Sequence, residues 1–267
     1  MNQFFNIKRF GQLLSYDLKI NYKQYLIAVG ICFIVSFVLT YIIFIDSVYD
    51  FDFRQYGVPF VMSFFLFVVF AGLSFPAFSS KKNTITYLTL PASTFEKYTA
   101  EFIIRIIFGG ILFLVIFWLA ANCAAKANVF LYNLVHDSNY SIKYFSYSPI
   151  VNRLLNPDLS DYDTPNRIRA MGRITIPLVV FPTLLVFAFS VRLFFRRFAI
   201  VKTAAVAIGI ILILIWFIAT FAEDFLAYYW DTLRMAIVFN RYVIVICAIF
   251  CVTLLLTGYY KLKEKKI

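Results

Sequence analysis

Six stretches of this chain are each apolar over the ~20 residues that an α-helix needs to cross a bilayer, and they limit it to one kind of fold. They fall near residues 25–45, 57–78, 102–124, 174–195, 199–221 and 237–259. Hydrocarbon offers no hydrogen-bond partners, so a backbone crossing it must satisfy its own N–H and C=O groups, which a helix does within one segment. Of the 267 residues 62% are hydrophobic and only 15% charged, which excludes an ordinary water-soluble domain. The expected fold is an all-α integral membrane protein, a single transmembrane domain over residues 1–267 with six spanning helices.

The net charge of +11 could point to nucleic acid, but the lysines and arginines flank the apolar runs and so act as a topology signal. With the N-terminus in the cytoplasm, sixteen of the 25 basic residues lie inside, among them Lys8, Arg9, Lys81, Lys82, Lys97, Arg192, Lys261 and Lys265. Only four acids, Asp17, Glu96, Glu101 and Glu264, share that side. An even number of spans then puts both termini in the cytoplasm, with the chain in the plasma (inner) membrane. No nucleic-acid partner is expected; the lipid bilayer is.

Ahead of the first span, Phe4, Ile7, Phe10, Leu14 and Leu18 recur at helical spacing opposite Lys8, Arg9, Gln12, Ser15 and Lys19. Residues 1–24 are therefore expected to form an amphipathic helix on the cytoplasmic leaflet, retained because no cleavage site follows it. Residues 126–173 form a long external connection, rich in turn formers such as Pro157, Asp158, Asp161, Asp163 and Pro165, that reads either as a small cap or as an extended loop. Residues 222–236 suit a short external or re-entrant helix, since Tyr and Trp favour the headgroup level. Cys32, Cys123, Cys247 and Cys251 all belong to apolar runs and read as packing residues. Cys247 and Cys251 share a helix face, but the one histidine, His136, lies elsewhere and reads as a solvated surface residue, so no metal site is expected.

The chain has no Gly-x-x-x-x-Gly-Lys phosphate loop, no His-Glu-x-x-His zinc motif and no Ser/His/Asp set, so it is not expected to be an enzyme. The informative stretch is the cytoplasmic connection at residues 79–101 and the start of the run behind it. Lys81 and Lys82 close the second span; Thr84, Tyr87 and Leu88 begin a short amphipathic helix; Leu90 and Pro91 end it, since proline lacks an amide hydrogen. Ser93 or Thr94 then caps a new helix with Glu96 in its first turn, followed by Lys97 and by the i, i+4 pair Glu101 and Arg105.

That order of apolar span, basic residues, short helix, Leu-Pro-x-Ser, charged helix start and next span resembles the membrane subunits of type-2 exporter-class ATP-binding cassette (ABC) transporters. The matching residues are Tyr87, Leu88, Leu90, Pro91, Ser93, Glu96 and Lys97. The outline of the chain agrees, although the long loop between the third and fourth spans departs from the family pattern. The resemblance implies a homo- or heterodimer of membrane subunits, each resting on a cytoplasmic ATP-binding cassette subunit that holds the ATP and magnesium. No cofactor is then expected on this chain. Tyr87, Leu88 and Leu90 would be apolar seat contacts for that partner, and Lys81, Lys82, Glu96 and Lys97 a polar rim. Few ionisable groups lie centrally in the spans, so ion coupling has little to act through, and an amphiphilic, lipid-like or peptide cargo is expected. The rival readings are a non-transporting membrane scaffold and a membrane-embedded enzyme using Asp158, Asp161 and Asp163.

Overall fold

The computed structural model describes residues 5–45, 56–79, 81–136, 144–148, 179–194 and 233–264. The span expected at 199–221, nearly all of 222–236, most of the loop at 126–173 and its aspartates lie outside the described residues. Among the described residues the chain is almost wholly helical and has no strand. Three of its helices are long and apolar enough to cross a membrane, Ile7–Phe44, Thr94–His136 and Ile244–Glu264.

The elements in chain order are α1 (Ile7–Ile45), α2 (Gly57–Gly72), a 3₁₀ turn (Pro76–Ser79), α3 (Lys81–Thr89), α4 (Thr94–Phe102), a π turn (Ile103–Phe108) and α5 (Gly109–His136). They are followed by α6 (Val179–Val191) and α7 (Leu233–Glu264). They belong to two compact units. The first comprises Met1–Ala71 and Pro91–Tyr147, and the second Gly72–Leu90 and Ser148–Ile267.

In the first unit, α1 packs along α5 and touches α4. From Ile7 onward, the expected interfacial helix and the span from 25 are one continuous helix of 39 residues, Ile7–Ile45. Nothing between them breaks a helix: the junction carries no proline, and Gly30 alone costs only about 1 kcal/mol. Asn6 caps this helix, its Oδ1 accepting the Lys8 amide at 2.9 Å. α5 likewise runs past residue 124 to His136, so the first eleven residues assigned to the external loop are helical. Ser36 and Thr40 of α1 and Ala120, Ala121, Ala124 and Ala125 of α5 are buried, the small side chains that allow close helix approach. Asn128 fastens the pair by donating to the Tyr41 carbonyl at 2.9 Å.

A run of aromatic rings fills the rest of this core. Tyr56 meets Phe44 at 4.8 Å and Phe145 at 4.7 Å between centroids. Phe145 meets Phe117, Phe117 meets Phe60, and Phe113 links Phe60 to Phe67. All but the stacked Phe67–Phe113 pair are tilted or edge-on, geometries that add to simple burial because ring edges are positive and faces negative. Phe145 belongs to the short described segment 144–148 that follows α5 in the chain. Both amide atoms of Asn122 hold its backbone, Oδ1 accepting the Phe145 N–H at 2.7 Å and Nδ2 donating to its carbonyl at 3.3 Å. Two residues on, the Tyr147 hydroxyl donates to the Leu114 carbonyl at 2.9 Å.

In the second unit the chain leaves α2 through a sharp break. Phe75 takes φ +55°, the left-handed region disfavoured for side chains with a Cβ, and is buried. Its ring rests on Phe78 and Phe189. Beside it, Ser74 Oγ donates to the Phe189 carbonyl at 3.2 Å, and Arg192 Nε donates to the Ser74 carbonyl at 3.4 Å. The second apolar run therefore ends as a helix at Gly72, short of the expected residue 78.

Candidate functional site

The expected partner-binding stretch divides at the boundary between the two units, which falls between Leu90 and Pro91. Lys81 and Lys82 open α3. Thr84 ties it to the preceding 3₁₀ turn, Oγ1 donating to the Ala77 carbonyl at 3.0 Å. Tyr87 faces inward, 8% exposed, its ring edge-on to Phe78 at 5.8 Å. Leu88 and Leu90 are half-buried, while the outward face of α3 carries Thr86, Thr89 and Ile85, the last 65% exposed. The large apolar side chain that α3 turns outward is thus Ile85, which the sequence pattern did not single out. Tyr87 holds α3 against its own unit.

On the other side of the boundary, Pro91 is exposed and Ser93 caps α4. The capping box is complete. Ser93 Oγ accepts the Glu96 amide at 3.1 Å and Glu96 Oε2 accepts the Ser93 amide at 2.7 Å. Glu96 does more than cap. Its other oxygen, Oε1, accepts the Asn6 amide at 2.6 Å and the Arg9 guanidinium at 3.1 Å, so the start of α1 is fastened to the start of α4. Glu96 and Lys97 are both buried within the first unit, not set at a solvent rim. The Glu96 carboxylate accepts two backbone amides and one charged donor, a pattern that favours ionisation. Burial pushes its pKa up, but the Ser93 and Asn6 amides and Arg9 outweigh that and hold it below its ordinary 4.5.

Glu101 and Arg105 are buried with them. Glu101 Oε2 lies 3.6 Å from Arg105 Nε, an ion pair beyond hydrogen-bond distance. The guanidinium lies against the rings of Tyr25, at 4.8 Å, and Phe70, at 5.0 Å. Tyr25 in turn donates its hydroxyl to Asp17, which also accepts from Asn21. No group of three metal-ligating side chains occurs among the described residues. His136 stacks on Tyr132 at the end of α5, an exposed position.

Comparison with known proteins finds no matching family model, no matching curated protein and no matching solved structure.

Proposed function

We propose that this chain is the membrane permease subunit of an ATP-driven ABC exporter. ATP hydrolysis would reside on a separate cytoplasmic subunit and the cargo would be amphiphilic, lipid-like or peptide. The observation that carries the reading is the build of the cytoplasmic connection. A nine-residue helix, α3, follows the second apolar helix, begins with two lysines and ends at Thr89, just ahead of Leu90 and Pro91. A capped α4 then continues without a break into a 43-residue helical run. A load applied to α4 enters the apolar helix behind it directly, with no loop between them. The outward Ile85, with Thr86 and Thr89 beside it, suits an apolar contact ringed by polar groups. Two copies of the chain, or this chain and a related one, would pair in the plasma membrane with both termini in the cytoplasm, and closure of the paired ATPases would rock the helices between two arrangements.

The test is to purify the protein in mild detergent with its native partners, identify those partners by mass and assay ATP hydrolysis. A co-purifying ATPase that is lost when Lys81 and Lys82 are reversed to Glu together with Leu88→Asp is the expected result. A protein that purifies without any ATPase, or one whose ATPase stays bound to that variant, overturns the reading and favours a scaffold.

A further inference from the structure

We infer that the π turn Ile103–Phe108 is a joint between α4 and α5, held in its wide form by Arg105. In this turn the Gly109 amide donates to the Ile104 carbonyl, five residues back, in place of the four-residue spacing of α4 and α5. A turn of this kind takes in one more residue than an α-turn. Its reversion to α would rotate α4 about α5 by roughly 100°, one residue's share of the helical circle.

Two further observations fall on the same turn. Arg105 is 1% exposed, yet its Nε and Nη2 make no hydrogen bond within the protein, and Glu101 stands 3.6 Å off. A buried guanidinium held mainly by two ring faces is restrained in one plane and free to slide in it, unlike one clamped by a bidentate carboxylate. Gly109, closing the turn, supplies the room: a Cβ there would stand 3.0 Å from Phe67 Cε2 and 3.2 Å from Phe70 Cε1. Phe70 is one of the two rings against Arg105. The wide turn, the loosely bonded cation and the missing side chain are thus one packing unit, placed where the helix passes from its charged, buried first turns to its apolar length. On the register present, α4 turns Glu96, Lys97, Tyr98, Ala100 and Glu101 inward. Rotation at the joint would withdraw that face.

The joint is independent of the exporter reading, since it is tested on the purified chain without nucleotide or partner. Spin labels at Phe95→Cys and Leu119→Cys, both exposed positions, span the turn by about 36 Å. Labels at Leu112→Cys and Leu131→Cys lie within α5 alone. Both pairs go into full-length protein with Cys32, Cys123, Cys247 and Cys251 replaced by Ala. Pulsed dipolar spectroscopy is expected to give a broad or two-peaked distance distribution across the turn and a narrow one within α5. Arg105→Met should shift the first and leave the second. A cross-turn distribution as narrow as the control and unmoved by Arg105→Met overturns the joint and leaves a rigid register-setting turn. Should that variant fail to fold, amide hydrogen exchange of the unaltered protein decides. Amides at Ile107–Gly109 exchanging about tenfold faster than those two turns to either side support the joint, and even protection from Thr94 to Val115 overturns it.

Discussion

Arg9 donates from Nη2 to Glu96 Oε1 at 3.1 Å, joining residues 87 positions apart in the chain. The same oxygen takes the Asn6 amide, so one carboxylate fastens the caps of two helices. Because the Glu96 carboxyl lies below its ordinary 4.5, its contribution is complete above that value and is lost as pH falls through the lower, folded-state value. Labels placed at Ile7→Cys and Phe95→Cys, both exposed, should give a narrow distance distribution from neutral pH down to 4.5 and a broad one in stronger acid. Glu96→Gln should be broad throughout. A narrow distribution for that variant would show that the fastening lies elsewhere.

At Phe75 the usual order of small substitutions should invert. Glycine normally destabilises relative to alanine by about 0.5–1 kcal/mol. Here φ is +55°, and both substitutions leave a cavity that costs about 3–5 kcal/mol, glycine's being larger only by the Cβ. Only glycine also removes the left-handed penalty of about 1–2 kcal/mol. Thermal midpoints in detergent should therefore place Phe75→Gly above Phe75→Ala, with both below the parent.

The segment around Phe145 hangs on Asn122. Asn122→Ala strands the Phe145 N–H and carbonyl, two bonds of about 1 kcal/mol each. In a cysteine-free background, Phe145→Cys, at a position 2% exposed, should react slowly with a thiol reagent and much faster once Asn122 is also Ala. Equal rates would mean that the Asn122 bonds do not retain the segment.

Two residues of α3 should separate folding from partner binding. Ile85→Asp changes an exposed position and should leave stability within about 0.5 kcal/mol while abolishing ATPase co-purification. Tyr87→Ala removes the ring that rests on Phe78 and should lower thermal stability first. Retention of the ATPase by the Ile85 variant would remove that side chain from the docking face.

Gly109 and Gly30 should respond oppositely to alanine. At Gly109 the added methyl meets Phe67 and Phe70, and overpacking costs about 1–3 kcal/mol. At Gly30 nothing lies within 4 Å, and the helix gains about 1 kcal/mol of propensity. A pair of denaturation curves decides it.

Local chemistry was the part of this fold written plainly in the chain. Ser93 and Glu96, three residues apart, spell a capping box, and both of its bonds are present. The apolar runs near 25–45, 102–124 and 237–259 correspond to the long apolar helices. What spacing could not give was anything joining distant residues, so Glu96 read as a cap and a rim charge while its Asn6 and Arg9 partners stayed hidden. Helix ends were misjudged where polarity changed but no breaker stood. Residues 7–24 and 25–45 differ in composition yet share one helix, and α5 passes from Ala125 through Lys126 and Asn128 with no proline or glycine to stop it. The π turn left no mark either, for Ile103, Ile104, Ile106 and Ile107 suit an α-helix equally well.

At 1.5 Å per residue, the 39 residues of α1 measure about 58 Å, nearly twice the ~30 Å of a bilayer's hydrocarbon. With no interruption between Asn6 and Phe44, such a rod behaves as a lever. One end of it is fastened at a single carboxylate, that of Glu96. A small displacement of α4 at Glu96 is delivered to the far end of α1 without crossing any loop.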